Sequence, residues 1–271
     1  MTIENALRAA RRKIERADAE ILLAALLAVS RTHLHAFGER ALAADCALAF
    51  AQLVERRALG EPIAYLLGRR DFHALTLEVS AAVLIPRADT ETLVELALAH
   101  LPQAQARRVL DLGCGSGAIG LALKAARPDI VLTLIDQSAA ALAQAKANAD
   151  RLGCPARLLE SDWFAALEHE RFDMVLSNPP YLAADDPHLR EGDLRFEPRG
   201  ALVAGPTGLE CFAAILREAP LHLAPGGLLA FEHGAQQGAS VRALLSESGL
   251  REVKTRPDLA GLDRVSFGWA Q

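Results

Sequence analysis

Val109-Leu110-Asp111-Leu112-Gly113-Cys114-Gly115-Ser116-Gly117 is an apolar run that breaks into glycines at alternate positions. A short aliphatic run bounded by glycine reads as a buried strand. The glycines let the backbone turn tightly and approach a ligand closely, and the helix that follows offers unpaired N–H groups in its first turn. The next strand ends in Leu134-Ile135-Asp136. An acid at that point can accept hydrogen bonds from both hydroxyls of a ribose. Strand, glycine turn, helix, then a strand ending in an acid is the opening of a nucleotide-binding α/β sheet.

The loop alone leaves the ligand open. Gly115-Ser116-Gly117-Ala118-Ile119-Gly120 satisfies the dinucleotide fingerprint literally, and a tight turn without a ligand would use the same glycines. Two features favour S-adenosylmethionine over a nicotinamide dinucleotide. Asp111 precedes the first glycine, where a carboxylate can meet the ligand's ammonium group, and a sulfonium needs no phosphate cradle. The last two strands, 251–255 and 264–269, are joined by a Pro-Asp-Leu-Ala-Gly loop; such an antiparallel pair suits a methyltransferase sheet better than a dehydrogenase one. After the third strand, Ser161-Asp162-Trp163-Phe164 places an acid and two aromatics where adenine would lie. Trp163 can stack on the ring while Asp162 or nearby backbone reads its edge; a core tryptophan is the competing explanation.

Outward from the loop, strands at 109–112, 131–135, 156–160, 174–176 and 228–232 alternate with helical stretches, notably 139–152 and 209–219. That alternation predicts a mostly parallel sheet covered on both faces. Residues 1–68 differ. Ile21, Leu22, Ala25, Leu26 and Val29 recur at helical spacing, Leu42, Leu48, Leu53 and Val54 populate a later helix, and Asp18 and Thr32 are candidate N-caps. Alternation at Leu75, Leu77 and Val79 suggests a strand over 71–79, with 83–85 as its partner. The expected organisation is a helical recognition domain at 1–68, a β-hairpin linker at 69–88 and a catalytic domain at 89–271.

The fourth strand runs into Ser177-Asn178-Pro179-Pro180-Tyr181-Leu182. Two consecutive prolines remove two backbone donors, so nearby carbonyl oxygens go unclaimed. Ligands of open α/β sheets lie beyond the carboxyl ends of the strands, which turns this segment toward a bound methyl donor. A planar nitrogen, in a carboxamide or an adenine amino group, is a poor nucleophile because its lone pair is delocalised. The Asn178 side-chain oxygen and a carbonyl of Pro179 or Pro180 can accept both of its N–H groups, and Tyr181 can cover the flat group by stacking. Positioning and electrostatics then carry the rate without a strong general base. A purely structural turn is the alternative.

Composition narrows the classes. At 51% hydrophobic the chain can bury a substantial core. The longest apolar run, 19–29, is too short to span a bilayer, and the charges at Glu4, Arg8, Arg11, Arg12 and Lys13 interrupt any leader pattern. A cytoplasmic protein with no membrane association is expected. Cys46, Cys114, Cys154 and Cys211 form no CxxC and read as reduced thiols; no metal site is expected. Residues 1–70 carry a net charge of +3 and the remainder −8. Ordinary solvated faces would produce this, as would a mildly basic recognition domain beside an acidic catalytic one. The overall charge of −5 argues against nucleic-acid readout.

With Asp18-Ala19-Glu20-Ile21-Leu22-Leu23, Gly60-Glu61-Pro62-Ile63-Ala64-Tyr65, Ile85-Pro86-Arg87-Ala88-Asp89-Thr90-Glu91, Phe196-Glu197-Pro198-Arg199-Gly200-Ala201-Leu202 and Glu232-His233-Gly234 beside these motifs, the chain resembles the PrmC/HemK family of release factor glutamine methyltransferases. The resemblance implies a class I (Rossmann-like) S-adenosylmethionine-dependent methyltransferase domain behind a small all-helical domain. It also implies methylation of the glutamine amide in the Gly-Gly-Gln tip of class I peptide chain release factors. A monomer is expected, since no coiled coil or large apolar seam in the sequence suggests more. Gly113, Cys114, Gly115, Ser116, Gly117, Asp136, Trp163 and Asn178 would bind the cofactor, and Asn178, Pro179, Pro180 and Tyr181 would hold the glutamine. Glu197 would reach the substrate loop or cap its own structure. Ala88 stands where the family usually has proline. An amino methyltransferase acting on nucleic acid, and an adaptor that binds release factors without catalysis, are the competing readings; Asn-Pro-Pro-Tyr alone is shared with DNA adenine methyltransferases.

Overall fold

The structure is a computed structural model that describes residues 1–102 and 105–271. Among these the chain forms two compact units, Met1–Arg69 with Arg190–Phe196, and Arg70–Leu189 with Glu197–Gln271.

The smaller unit contains α1 (Ile3–Ala10), α2 (Arg16–Leu27), α3 (Arg31–Ala36), α4 (Ala44–Ala58) and α5 (Ile63–Leu67). Its core joins Leu7, Leu22, Leu23, Leu34, Phe50 and Val54, which recur on one face of each helix as a 3.6-residue period requires. Leu48 lies in the expected helix but is 63% exposed on the far side of α4. The caps also differ from expectation. Ser30, not Thr32, caps α3 by accepting the His33 N–H, and α2 begins before Asp18, at Arg16, with Glu15 in the N-cap position and no side-chain cap. Asp18 instead accepts Arg57 Nε at 2.6 Å, and the same guanidinium reaches Asp193 at 3.1 Å, tying Arg190–Phe196 into this unit.

Glu20 is the buried charge of the bundle. It is 1% exposed, yet Arg11, Arg16 and Arg31 donate to it at 3.1, 2.7 and 2.6 Å, and the His35 ring lies 3.4 Å away. Hydrogen bonds from Arg31 and Arg16 hold its carboxyl down from 4.5 to about 2.

The larger unit opens with a hairpin of β1 (Arg69–Phe72) and β2 (Leu75–Glu78), closed by His73 and Ala74 with His73 at φ +53°. The strand expected over 71–79 is thus two strands folded on one another, and 83–85 pairs with neither. Phe72 and Leu77 enter the main core. Asn148 clamps the hairpin by accepting the Glu78 N–H at 2.7 Å and donating to the Glu78 and Ser116 carbonyls at 2.9 and 3.0 Å. The hairpin is therefore fastened to the larger unit from Arg70 onward.

Next come α6 (Glu91–His100), β3 (Arg108–Leu112), α7 (Ala118–Ala126), β4 (Val131–Asp136), α8 (Ala139–Leu152), β5 (Arg157–Glu160) and β6 (Phe172–Ser177). A two-stranded ladder of β7 (Leu182–Ala183) and β8 (Val203–Gly205) precedes α9 (Glu210–His222), β9 (Leu223–Glu232), α10 (Gly238–Glu247), β10 (Arg251–Pro257) and β11 (Asp263–Trp269). The main sheet has the order β10-β11-β9-β6-β3-β4-β5. Strands β5, β4, β3, β6 and β9 are parallel, and β11 is antiparallel to both β9 and β10. Side chains alternate faces along a strand. Val109, Met174, Leu176, Leu228 and Ala230 enter the core shared with α6, α7 and α8, while Leu110, Val175, Leu229 and Phe231 enter the core shared with α9 and α10. Edge strand β10 carries Arg251, Glu252, Lys254, Arg256 and Pro257, which discourage pairing with another sheet.

Glu20→Gln removes the bundle's central charge and should lower the melting temperature at pH 7 by an amount equivalent to on the order of 2 kcal/mol. Because the folded-state pKa is depressed, the stabilisation is present above about 4.5 and lost as pH falls toward 2. The gap between wild type and variant in thermal melts should therefore close across that window; a gap constant with pH would contradict this account.

Candidate active site

Strand register brings the site together. Leu112 pairs with Ile135 and Ser177, Asp136 pairs with Glu160, and Ser177 pairs with Phe231. One residue further on, Gly113, Asp136, Asn178 and Glu232 stand abreast at the carboxyl edge of the sheet. A cavity of about 280 Å³ opens there, near the lower end of the range for small-molecule sites.

The glycine loop forms its floor. Gly113, Gly115 and Gly117 have φ of +69°, +54° and +82°, where L side chains are strained. Gly117 is the N-cap of α7, and the positive end of that helix lies at the turn. Gly115 N–H donates to Asp136 Oδ2 at 2.9 Å, and Ser138 N–H donates to Oδ1 at 2.9 Å. These two bonds orient the Asp136 carboxylate, and each oxygen keeps a lone pair for a ligand hydroxyl.

Asp111 has a different place from the one expected. It shares the Val109 face of β3 and is fully buried, accepting the Gly120 N–H at 2.9 Å inside the first turn of α7. It does not line the cavity; it holds the loop from behind. Its Oδ1 has no partner among the described residues, and burial pushes the carboxyl up to about 7. Gly120 is the third glycine of the fingerprint, and a Cβ there would lie 2.5 Å from Leu134 Cδ2 and 3.2 Å from Asp111 Oδ2. It serves helix–sheet packing.

Of the other residues singled out in the sequence, Gly113, Cys114, Gly115, Ser116, Asp136, Asp162, Trp163, Asn178 and Pro180 line the cavity; Gly117, Pro179, Tyr181 and Glu197 do not. Trp163, at φ +46°, both lines the cavity and packs on the α9/α10 core, so its two readings are not exclusive. The Cys114 thiol is buried and pushed well up by desolvation, which makes it a wall and not a nucleophile. Asn178 donates its Nδ2 to Thr90 Oγ1 at 3.3 Å, leaving Oδ1 as a free acceptor. Among the described residues none donates to the Pro179 or Pro180 carbonyl. Tyr181 packs beside Gly234, its carbonyl accepts Gln237 Nε2 at 3.0 Å, and burial lifts its phenol to about 12.

The opposite wall was not legible as a wall: Ala82, Val83, Leu84, Pro86, Pro198 and Ala201. Glu197 fastens it. Its Oε2 accepts the Ile85 N–H at 2.9 Å and its Oε1 accepts the Arg87 guanidinium. The acidic and hydroxyl residues that follow Arg87 are each engaged: Asp89 lies 3.4 Å from Arg264, Thr90 meets Asn178, and Glu91 accepts the His73 N–H at 3.0 Å. The mixture of charged and hydroxyl residues after Ile85-Pro86 was the available signal, but their partners are distant in sequence.

These residues fit S-adenosylmethionine. The glycine turn, the oriented Asp136 pair and the half-buried Trp163 suit an adenosine.

Comparison with known proteins agrees. Residues 2–68 match the model of the PrmC N-terminal domain and residues 87–191 that of the Methyltransferase small domain. The release factor glutamine methyltransferase of Xylella fastidiosa is 51% identical over 97% of this chain and 96% of its own length. That of Escherichia coli is 46% identical over 93% and 91%. A T. Thermophilus 16S rRNA methyltransferase solved with AdoMet and guanosine shares the fold, with a TM-score of 0.55 and 21% identity over 75% of this chain and 50% of its own.

Gly208 supports the site from outside the cavity. It has φ +79°, and a Cβ there would lie 2.6 Å from the Tyr181 carbonyl oxygen. Gly208→Ala should therefore cost about 2–3 kcal/mol in denaturant unfolding, against about 1 kcal/mol for Gly226→Ala, whose φ is +69° with nothing within 4 Å. Equal costs would show that the Tyr181 backbone yields freely.

Proposed function

Because the chain belongs to the family of release factor glutamine methyltransferases, we propose that it transfers a methyl group to the side-chain amide nitrogen of the glutamine in the Gly-Gly-Gln motif of class I peptide chain release factors. The observation that carries this reading is the pairing of Asn178, its Nδ2 engaged and its Oδ1 free, with two proline carbonyls that no donor among the described residues claims. A primary amide has two N–H groups and needs two acceptors. Asn178 Oδ1 and a carbonyl of Pro179 or Pro180 supply them, at the end of the strand beside the glycine loop.

Gly113, Cys114, Gly115, Ser116, Asp136, Asp162 and Trp163 would hold S-adenosylmethionine, which would supply an electrophilic methyl group and a sulfur able to take up the electron pair of the carbon–sulfur bond. The protein's own contribution is to orient the amide and to stabilise the positive charge that grows on nitrogen as its lone pair is withdrawn from the carbonyl. The methylated nitrogen is acidic and releases its proton to water, so no side chain has to act as base. Asp111 supports the loop, Glu197 and Arg87 hold the opposite wall, and Tyr181 packs beneath the segment. The unit that matches the PrmC N-terminal domain docks the release factor, and its positive balance of charge supports that role. The enzyme acts as a cytoplasmic monomer without direct nucleic-acid readout. Among the described residues no helix is long and apolar enough to cross a membrane.

The test is incubation with methyl-labelled S-adenosylmethionine, an intact bacterial release factor and its tip Gln→Ala variant. Label should enter only the intact tip, and Asn178→Ala should lower kcat by a factor corresponding to roughly 2–4 kcal/mol. Asp136→Ala should instead weaken cofactor binding by tenfold or more. Label in adenine-containing DNA or RNA and none in the release factor would sink the proposal.

A further inference from the structure

We propose that Thr90 and Glu232 are positioning residues that set which end of the Asn178 carboxamide faces the substrate. This rests on the reading that Asn178 holds the target amide.

The sheet places the three side chains together. Ser177 pairs with Phe231, so Asn178 and Glu232 are neighbours at the ends of β6 and β9. Counting in twos from Leu176 and Ala230, both belong to the face covered by α6. Thr90, 4% exposed, is the N-cap residue of α6 but caps nothing with its side chain. Its hydroxyl is committed elsewhere: Oγ1 accepts Asn178 Nδ2 at 3.3 Å, and the hydroxyl faces the Glu232 carboxylate, which it helps to hold ionised.

A hydroxyl has one proton. Given to Glu232, it leaves Oγ1 as acceptor, which draws the Asn178 NH₂ inward and turns Oδ1 toward the cavity. Without an acceptor behind it, the Thr90 hydroxyl can donate to Asn178 Oδ1. The carboxamide then turns over and presents NH₂ to the substrate's NH₂, donor against donor. The orientation of Asn178 is thus decided two bonds away.

Glu232 is suited to this task and to no evident structural one. It is 1% exposed, and its Oε2 has no partner among the described residues. The groups facing it are Thr90, Asp89 and Arg87 from the segment at the start of α6, Arg264 from β11, and Tyr181 after β6. Burial dominates and raises its carboxyl to about 7, against the opposing pull of Thr90, Arg264 and Arg87. Ionised, it holds the hydroxyl as donor; protonated, it can donate to Thr90 and release the lock. A primary amide does not titrate near neutrality, so an acid limb there reports the enzyme.

The experiment measures kcat and KM for an intact release factor, and S-adenosylmethionine binding, in the full chain and in Thr90→Val, Thr90→Ser and Glu232→Gln. Thr90→Val should lower kcat ten- to a hundredfold with cofactor Kd changed less than threefold, and Thr90→Ser should recover at least a third of wild-type kcat. Wild-type kcat should fall about tenfold per unit below pH 7, and Glu232→Gln should flatten that limb. If Thr90→Val does not fold, the serine variant and the glutamine profile still decide. Wild-type kcat in Thr90→Val, a serine variant no better than valine, or an acid limb unchanged in Glu232→Gln would overturn the proposal. Absence of transfer by the wild-type protein would be a separate failure, removing the reading of Asn178 and the proposal with it.

Discussion

Parallel pairing of β3 with β4 and β6, and of β6 with β9, ends four strands at one level, and every feature of the site depends on that alignment. Backbone hydrogen bonds fix the level to within a residue, and a slip of one residue would turn each side chain to the opposite face. The glycine turn, the Asp136 carboxylate, the Asn178 amide and Glu232 come from positions scattered over more than a hundred residues. They meet because each is the last residue of a parallel strand or the one that follows it. The chemistry needs no unusual side chain; it needs ordinary ones delivered at the same height.

On the face shared with α6 and α7 the alignment also buries two carboxyl groups, Asp111 and Glu232, each with one oxygen lacking a partner among the described residues. Burying an unpaired charge is costly, and both groups respond by shifting toward neutrality. A core built for stability alone would replace them with apolar residues of similar volume. They persist one strand from the cavity, on the side where the glycine loop and the Asn178 amide are held. Local conflicts of this kind are expected where a fold serves a ligand.

The fold class was legible because the strands that matter are short apolar runs ending in glycine, acid or proline. The order of strand and helix was enough to give a parallel sheet with an antiparallel end. Local geometry was less legible. The strand read across 71–79 is broken by His73 in a left-handed conformation, which a histidine in an alternating pattern does not announce. Thr32 lost its capping role to Ser30, two residues earlier, and Asp18 was claimed by Arg57 from another helix. In the site, Asp111 was placed facing the ligand because its neighbours were; counting faces from Val109 would have turned it toward α7. The bonds of Arg87 to Glu197 and of Thr90 to Asn178 span 110 and 88 positions, and no periodicity in one sequence reports a contact of that range.

The seven residues Arg190–Phe196 lie in the second half of the chain but belong to the helical unit, where Asp193 meets Arg57 and Arg195 donates to the Leu59 carbonyl. The boundary between the units is therefore crossed three times by covalent backbone, after residues 69, 189 and 196. A unit joined by a single crossing can be deleted, exchanged or inherited as a cassette; this one cannot. Its inventory includes a piece encoded within the catalytic half, so the two halves of the gene are bound to change together.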